Sequence, residues 1–98
     1  MLTTIIIDDE KASRTVLQNY LQRYCPDVTI LAEAANIKEG KAAIDAHNPD
    51  FIFLDVEMPF GTGFDLLDLL PDRTFETVFV TAYNQYAIDA LNSHAAYY

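Results

Sequence analysis

The sequence predicts a doubly wound α/β domain built on a parallel sheet. Short apolar runs alternate four times with segments of helical period along its 98 residues. The runs are apolar on both faces, as strands are when helices cover each side of a parallel sheet. Three of them stop at a polar residue of a particular kind: Ile5-Ile6-Ile7 at Asp8-Asp9-Glu10, Phe51-Ile52-Phe53-Leu54 at Asp55, and Thr77-Val78-Phe79-Val80 at Thr81. Alternation of this sort implies right-handed crossovers and a sheet sandwiched between helices.

The first strand is predicted over residues 3–7, where every residue is β-branched. A helix follows over 11–24. There Ala12, Val16, Leu17, Tyr20, Leu21 and Tyr24 recur at three- and four-residue spacing, and Pro26 closes the segment. Residues 28–32 form a second strand, less uniformly apolar and so placed nearer the sheet edge. Asn36-Ile37-Lys38-Glu39 has the form of a capping box, opening a helix that runs through Ala42, Ala43 and Ile44 to about His47. Asn48-Pro49-Asp50 is a turn. Residues 51–54 are a buried third strand, 58–63 a loop and 64–70 a short helix stopped by Pro71. Residues 77–80 are the fourth strand, and a last helix is predicted over 85–92.

Composition narrows the function classes. Half the residues are hydrophobic and Pro and Gly are sparse, which fits one small packed domain rather than a disordered chain. A net charge of -9 argues against a nucleic-acid surface, because phosphate backbones call for Lys and Arg. No basic leader and no membrane-length apolar run occurs, so the sequence reads as cytoplasmic, with no membrane contact. Cys25 is the single cysteine, which excludes an internal disulfide. His47 and His94 have no partner at metal-ligand spacing and read as solvated helix-end residues.

Open parallel sheets bind ligands beyond the carboxyl ends of their strands. Asp8, Asp9, Asp55 and Thr81 all stand at such ends. If the three runs are neighbours, three carboxylates and a hydroxyl share one pocket. Carboxylates that close repel, and a hard divalent cation, typically Mg²⁺, relieves the repulsion. Asp8 and Asp9 also fit as caps of the helix beginning near Lys11, a role compatible with metal binding.

Ile5-Ile6-Ile7-Asp8-Asp9-Glu10, Phe53-Leu54-Asp55-Val56-Glu57-Met58-Pro59 with Gly63, and Phe79-Val80-Thr81-Ala82-Tyr83 together resemble the receiver domain of two-component response regulators. The last stretch, followed by Gln85-Tyr86-Ala87, is further similar to receivers joined to LytTR-type DNA-binding domains. The resemblance implies a flavodoxin-like receiver fold of strand order 2-1-3-4-5. It implies that Asp55 takes a phosphoryl group from a sensor histidine kinase. Asp9 and Asp55 would bind Mg²⁺ directly together with the Glu57 backbone carbonyl, Asp8 would act through water, and Thr81 would hydrogen-bond the phosphoryl oxygens. Tyr98 matches the aromatic whose rotation accompanies activation. Such a module phosphorylates and dephosphorylates itself without being a turnover enzyme, and DNA binding would belong to a separate output domain.

The chain departs from that pattern in one respect. The family has a lysine shortly after the position of Tyr98, then a proline and a last helix, whereas no Lys follows Lys41 here. Residues 1–98 are therefore expected to be a receiver domain truncated before the lysine, with the fifth strand and last helix missing. Weakened phosphotransfer and self-association through an uncovered fourth strand are expected in consequence. A phosphorylation-independent interaction module is the alternative. A phosphatase reading needs a second acid two residues beyond the nucleophile, and Glu57 meets that only loosely.

Overall fold

The computed structural model describes residues 1–80. Thr81, the predicted helix over 85–92 and Tyr98 lie outside the described residues.

The elements are β1 (Leu2–Ile7), α1 (Lys11–Tyr24), β2 (Val28–Ala34), α2 (Ile37–His47), β3 (Phe51–Asp55), β4 (Glu57–Met58), β5 (Gly61–Thr62), α3 (Gly63–Asp68) and β6 (Glu76–Val80). Four strands form one parallel sheet in the order β2-β1-β3-β6. With β6 as the fourth strand of the sheet, this is the predicted order 2-1-3-4. The placement of the less apolar second strand at an edge is borne out as well. Among the described residues β6 pairs with β3 alone.

The core follows from the two-residue period of the strands. Ile5, Ile7, Ile52 and Leu54 are fully buried and cluster with Ile44 of α2 and with Leu66 and Leu67 of α3. Alternation turns Thr4 and Ile6 to the other face of β1, and Leu21 is the buried residue of α1. Val16, Tyr20 and Tyr24 are exposed, so the apolar period of α1 is wider than the stripe it buries. Asp50 fastens the opposite end of the sheet. Its carboxylate accepts from Thr3 N at 2.8 Å, and its carbonyl accepts from Glu76 N at 3.1 Å, tying β1, β3 and β6 together.

Four local points differ from expectation. The segment predicted as a loop over 58–63 is instead a small antiparallel ribbon, β4 against β5, turned at Pro59-Phe60 and running into α3. Strands of two residues are too short to show a period in sequence. Phe60 holds a φ of 66°, a conformation usually left to Gly or Asn, and its side chain stands fully in solvent. The start of α3 is set by a capping box that sequence reading missed: Asp65 N donates to Thr62 Oγ1 at 3.3 Å and Thr62 N to Asp65 Oδ2 at 2.8 Å. At α2 the predicted box is shifted. Asn36 Oδ1 accepts from Glu39 N at 2.8 Å, and Glu39 reaches back to the Asn36 side-chain amide, Nδ2 to Oε2 at 3.1 Å, and to Ala35 N at 3.1 Å, in place of the Asn36 backbone N–H. The last correction concerns the α1 cap. Its N-cap is Glu10, which makes no side-chain cap bond, so neither Asp8 nor Asp9 is committed to capping.

Thr4 is fully buried, and its Oγ1 has no hydrogen-bond partner among the described residues. An unpaired buried hydroxyl is costly, and valine has nearly the same shape. Thr4→Val is expected to raise unfolding stability by about 1 kcal/mol, read from urea denaturation midpoints at unchanged m-value.

Candidate functional site

The site sits where β1 and β3 end side by side. Ile7 pairs with both Leu54 and Ala34, so the residues that follow, Asp8 and Asp55, leave the sheet at the same level. One carboxylate oxygen from each of Asp8, Asp9 and Asp55 lies within 4.8 Å of the other two. Asp8 is buried, Asp55 half-buried and Asp9 exposed, so the cluster opens to solvent on the Asp9 side.

The backbone around the cluster is well fastened. Asp8 N donates to Ala34 O at 3.0 Å, and Asp8 Oδ1 accepts from Glu10 N at 2.9 Å. The Glu57 N–H donates to Asp55. Gly63 N donates to Val56 O at 2.8 Å, which folds the ribbon back beneath the site. A Cβ on Gly63 would come within 2.6 Å of the Asp55 carbonyl oxygen and 2.9 Å of Leu54 Cγ. Glycine is therefore required for α3 to begin this close to the end of β3.

Electrostatics oppose ionisation here. Burial pushes the Asp55 carboxyl up to about 7, with the neighbouring Asp8 and Asp9 adding to the rise against the Glu57 N–H. Asp8 is raised too, chiefly by burial and then by Asp9, against the Glu10 N–H and the Arg14 charge. Three hard oxygens crowded together, two of them on the carboxyls of Asp8 and Asp55 that resist ionisation, suit a small divalent cation.

Of the residues singled out from sequence, Asp8, Asp9 and Asp55 are brought together. Glu57 is exposed and its carboxylate is no part of the cluster, in keeping with a role for its backbone only. Thr81 follows Val80, the residue that pairs with Asp55, but itself lies outside the described residues. Sequence reading missed Arg14. Its Nη1 donates to Asp8 O, and its Nε meets Glu33 Oε1 at 3.1 Å. A signal was present: a cation near the start of a helix whose first turn holds no acid is misplaced against the helix dipole and needs another reason to be there.

The parallel sheet of order β2-β1-β3-β6 with an acidic cluster at its carboxyl edge is the arrangement of a receiver domain. The family profile of the response regulator receiver domain matches residues 4–98, and the chain belongs to that family. It is 43% identical over 96 residues to an uncharacterized response regulatory protein of Vibrio vulnificus and 38% identical to the transcriptional regulatory protein BtsR of Escherichia coli K12. Both matches cover 97% of this chain but only 39% and 40% of those proteins, so the chain spans about two-fifths of their length. Among solved structures, the response regulator TrrA of Thermotoga maritima, crystallised with Mg²⁺ and BeF, superposes with a TM-score of 0.74 at 30% identity, covering 98% of this chain and 82% of that one. The response regulator domain of Thermotoga maritima CheB, at 24% identity, shares the fold with a TM-score of 0.77 and covers 94% of this chain and 72% of its own. Among the described residues no helix is long and apolar enough to cross a membrane.

Two outcomes follow from the geometry. Gly63→Ala should destabilise the protein by about 1–3 kcal/mol in chemical denaturation, because the contact it creates is with backbone that cannot yield. The second concerns pH. The folded state holds a proton on Asp55 that the unfolded state releases, between the ordinary value of 3.8 and about 7. Stability without metal should therefore fall as pH rises through that window. Asp55→Asn should match the parent near pH 4 and melt higher than it at pH 8 in chelator, with a smaller slope left by Asp8.

Proposed function

We propose that the chain is the phosphoacceptor module of a two-component response regulator, with Asp55 as the residue phosphorylated. The observation that carries this reading is the convergence of Asp8, Asp9 and Asp55 at the ends of two adjacent parallel strands. Residues 1–98 all belong to this receiver module. Asp9, Asp55 and the Glu57 backbone carbonyl would hold Mg²⁺, with Asp8 acting through water. The metal, when bound, supplies positive charge that keeps Asp55 ionised and neutralises phosphoryl oxygens.

In the reaction an Asp55 carboxylate oxygen attacks the phosphorus of a phosphohistidine on a sensor kinase. The O–P bond forms as the N–P bond breaks, and the imidazole nitrogen leaves with the electron pair and takes up a proton. Phosphoryl transfer asks little more of the protein than alignment and charge neutralisation. Alignment comes from the end of β3, clamped from below by Gly63 and from the side by the Glu57 N–H. Thr81, one residue past Val80, is in sequence position to follow the phosphoryl group with its hydroxyl. Slow hydrolysis of the acyl phosphate resets Asp55, so the module modifies itself and turns over no external substrate.

The same reading gives the chain a cytoplasmic location, a histidine kinase partner and association with a second copy. It also gives a transcriptional output through a separate domain of the LytTR type. The naming of a relative as a transcriptional regulator, and the greater length of the relatives, support a transcriptional output; its LytTR type is carried only by the resemblance of residues 79–87.

Incubation of the full-length protein with acetyl phosphate or phosphoramidate and Mg²⁺ is expected to add 80 Da at Asp55 by intact-mass and peptide analysis. Asp55→Asn or chelation should abolish the adduct, and Thr81→Ala should slow its formation. No adduct on the parent protein would reject the assignment, and partner binding indifferent to Asp55→Asn would leave the phosphorylation-independent reading in its place.

A further inference from the structure

Arg14 is placed against its own helix. It lies near the positive end of the α1 dipole, with Lys11 beside it and no acid in the first turn. Yet its side chain is only 15% exposed, and two of its guanidinium nitrogens are engaged. Nε pairs with Glu33 of β2 at 3.1 Å, and Nη1 donates to the carbonyl of Asp8, beyond the end of β1. One planar fork thus ties the first turn of α1 to the carboxyl ends of two strands. A fork of fixed geometry suits this task, and an ammonium does not.

The result at Asp8 is unusual. Its N–H donates to Ala34 O, its Oδ1 accepts from Glu10 N, and its C=O accepts from Arg14. Every polar part of the residue is engaged except one carboxylate oxygen. The carbonyl held by Arg14 belongs to the Asp8–Asp9 peptide, so the direction of that peptide, and with it the line on which Asp9 leaves, is set by the guanidinium. Partners that orient the groups around a metal contribute to its affinity without touching it.

We propose that Arg14, held by Glu33, is a positioning residue for the acidic cluster, fixing the Asp8–Asp9 peptide so that both carboxylates face Asp55 and receive a divalent cation. This inference rests on the metal-binding reading above. Charge and geometry act in opposite senses here. As a positive charge Arg14 disfavours a second cation in the pocket; as a fastener it favours one. Glu33 neutralises much of the charge while leaving the geometry in place, so the fastening effect dominates.

The opposed signs make a clean test. Mg²⁺ affinity of the full-length protein is measured by titration calorimetry, with melting temperature in chelator as the control for folding. Arg14→Lys keeps the charge and loses the fork, and is expected to weaken Mg²⁺ binding about tenfold. Glu33→Gln, at a more exposed position, is expected to weaken it by a smaller factor while remaining folded. In chelator, the Asp9 amide should exchange with solvent faster in both variants than in the parent. Unchanged affinity in Arg14→Lys, even with a lowered melting temperature, would overturn the proposal, as would tighter binding in Arg14→Ala. If the parent itself binds no Mg²⁺, or binds it equally after Asp9→Asn, the metal-site reading fails and the inference falls with it.

Discussion

The pairing of β1 with β3 in a single register is the constraint on which the rest of the molecule depends. Ile5 stands opposite Ile52 and Ile7 opposite Leu54, and all four side chains are removed from water. A slip of one residue would turn each of these side chains to the other face of the sheet, so burial specifies the register strongly. The carboxylates inherit their places from it. Asp8 and Asp55 are neighbours because the hydrophobic residues before them are, and no attraction between the acids is needed or available. A repulsive cluster is thus assembled by apolar packing a few ångströms away.

Repulsion makes the site a point of stored cost. Burial, with the charge of neighbouring acids, raises both Asp8 and Asp55 toward their neutral forms. The surrounding backbone is correspondingly over-determined. A glycine admits α3 against the Asp55 carbonyl, a Thr62–Asp65 capping box fixes where α3 begins, and the Glu57 N–H leans on the carboxylate. Such fastening keeps the acids apart from bulk relaxation and ready for a positively charged ligand, which is the state that favours a cation-dependent reaction.

Cations are scarce in this acidic chain, and two arginines serve backbone carbonyls. Arg14 holds the Asp8 carbonyl, and Arg73 donates to the carbonyls of Leu67 and Leu70 at 3.1 Å each, closing the end of α3. The second placement agrees with the helix dipole and the first opposes it. That contrast separates a residue serving its own helix from one serving the site.

Sequence by itself determined the class of fold, the four parallel strands and the identity of the three acids, because each is written in a local signal: strand period, helix period and an acid directly after an apolar run. The two-residue strands of the ribbon and the reach of Glu39 to Ala35 were beyond it, since they depend on backbone geometry over spans too short to show a period, whereas the Thr62–Asp65 box is written locally as a Thr-x-x-Asp pattern. Only the tertiary structure decided that the acids meet within one cation's reach, that Gly63 must lack a side chain and that Arg14 grips Asp8. These are contacts between segments distant in sequence, and they exist only once the register of β1 against β3 has been set by burial.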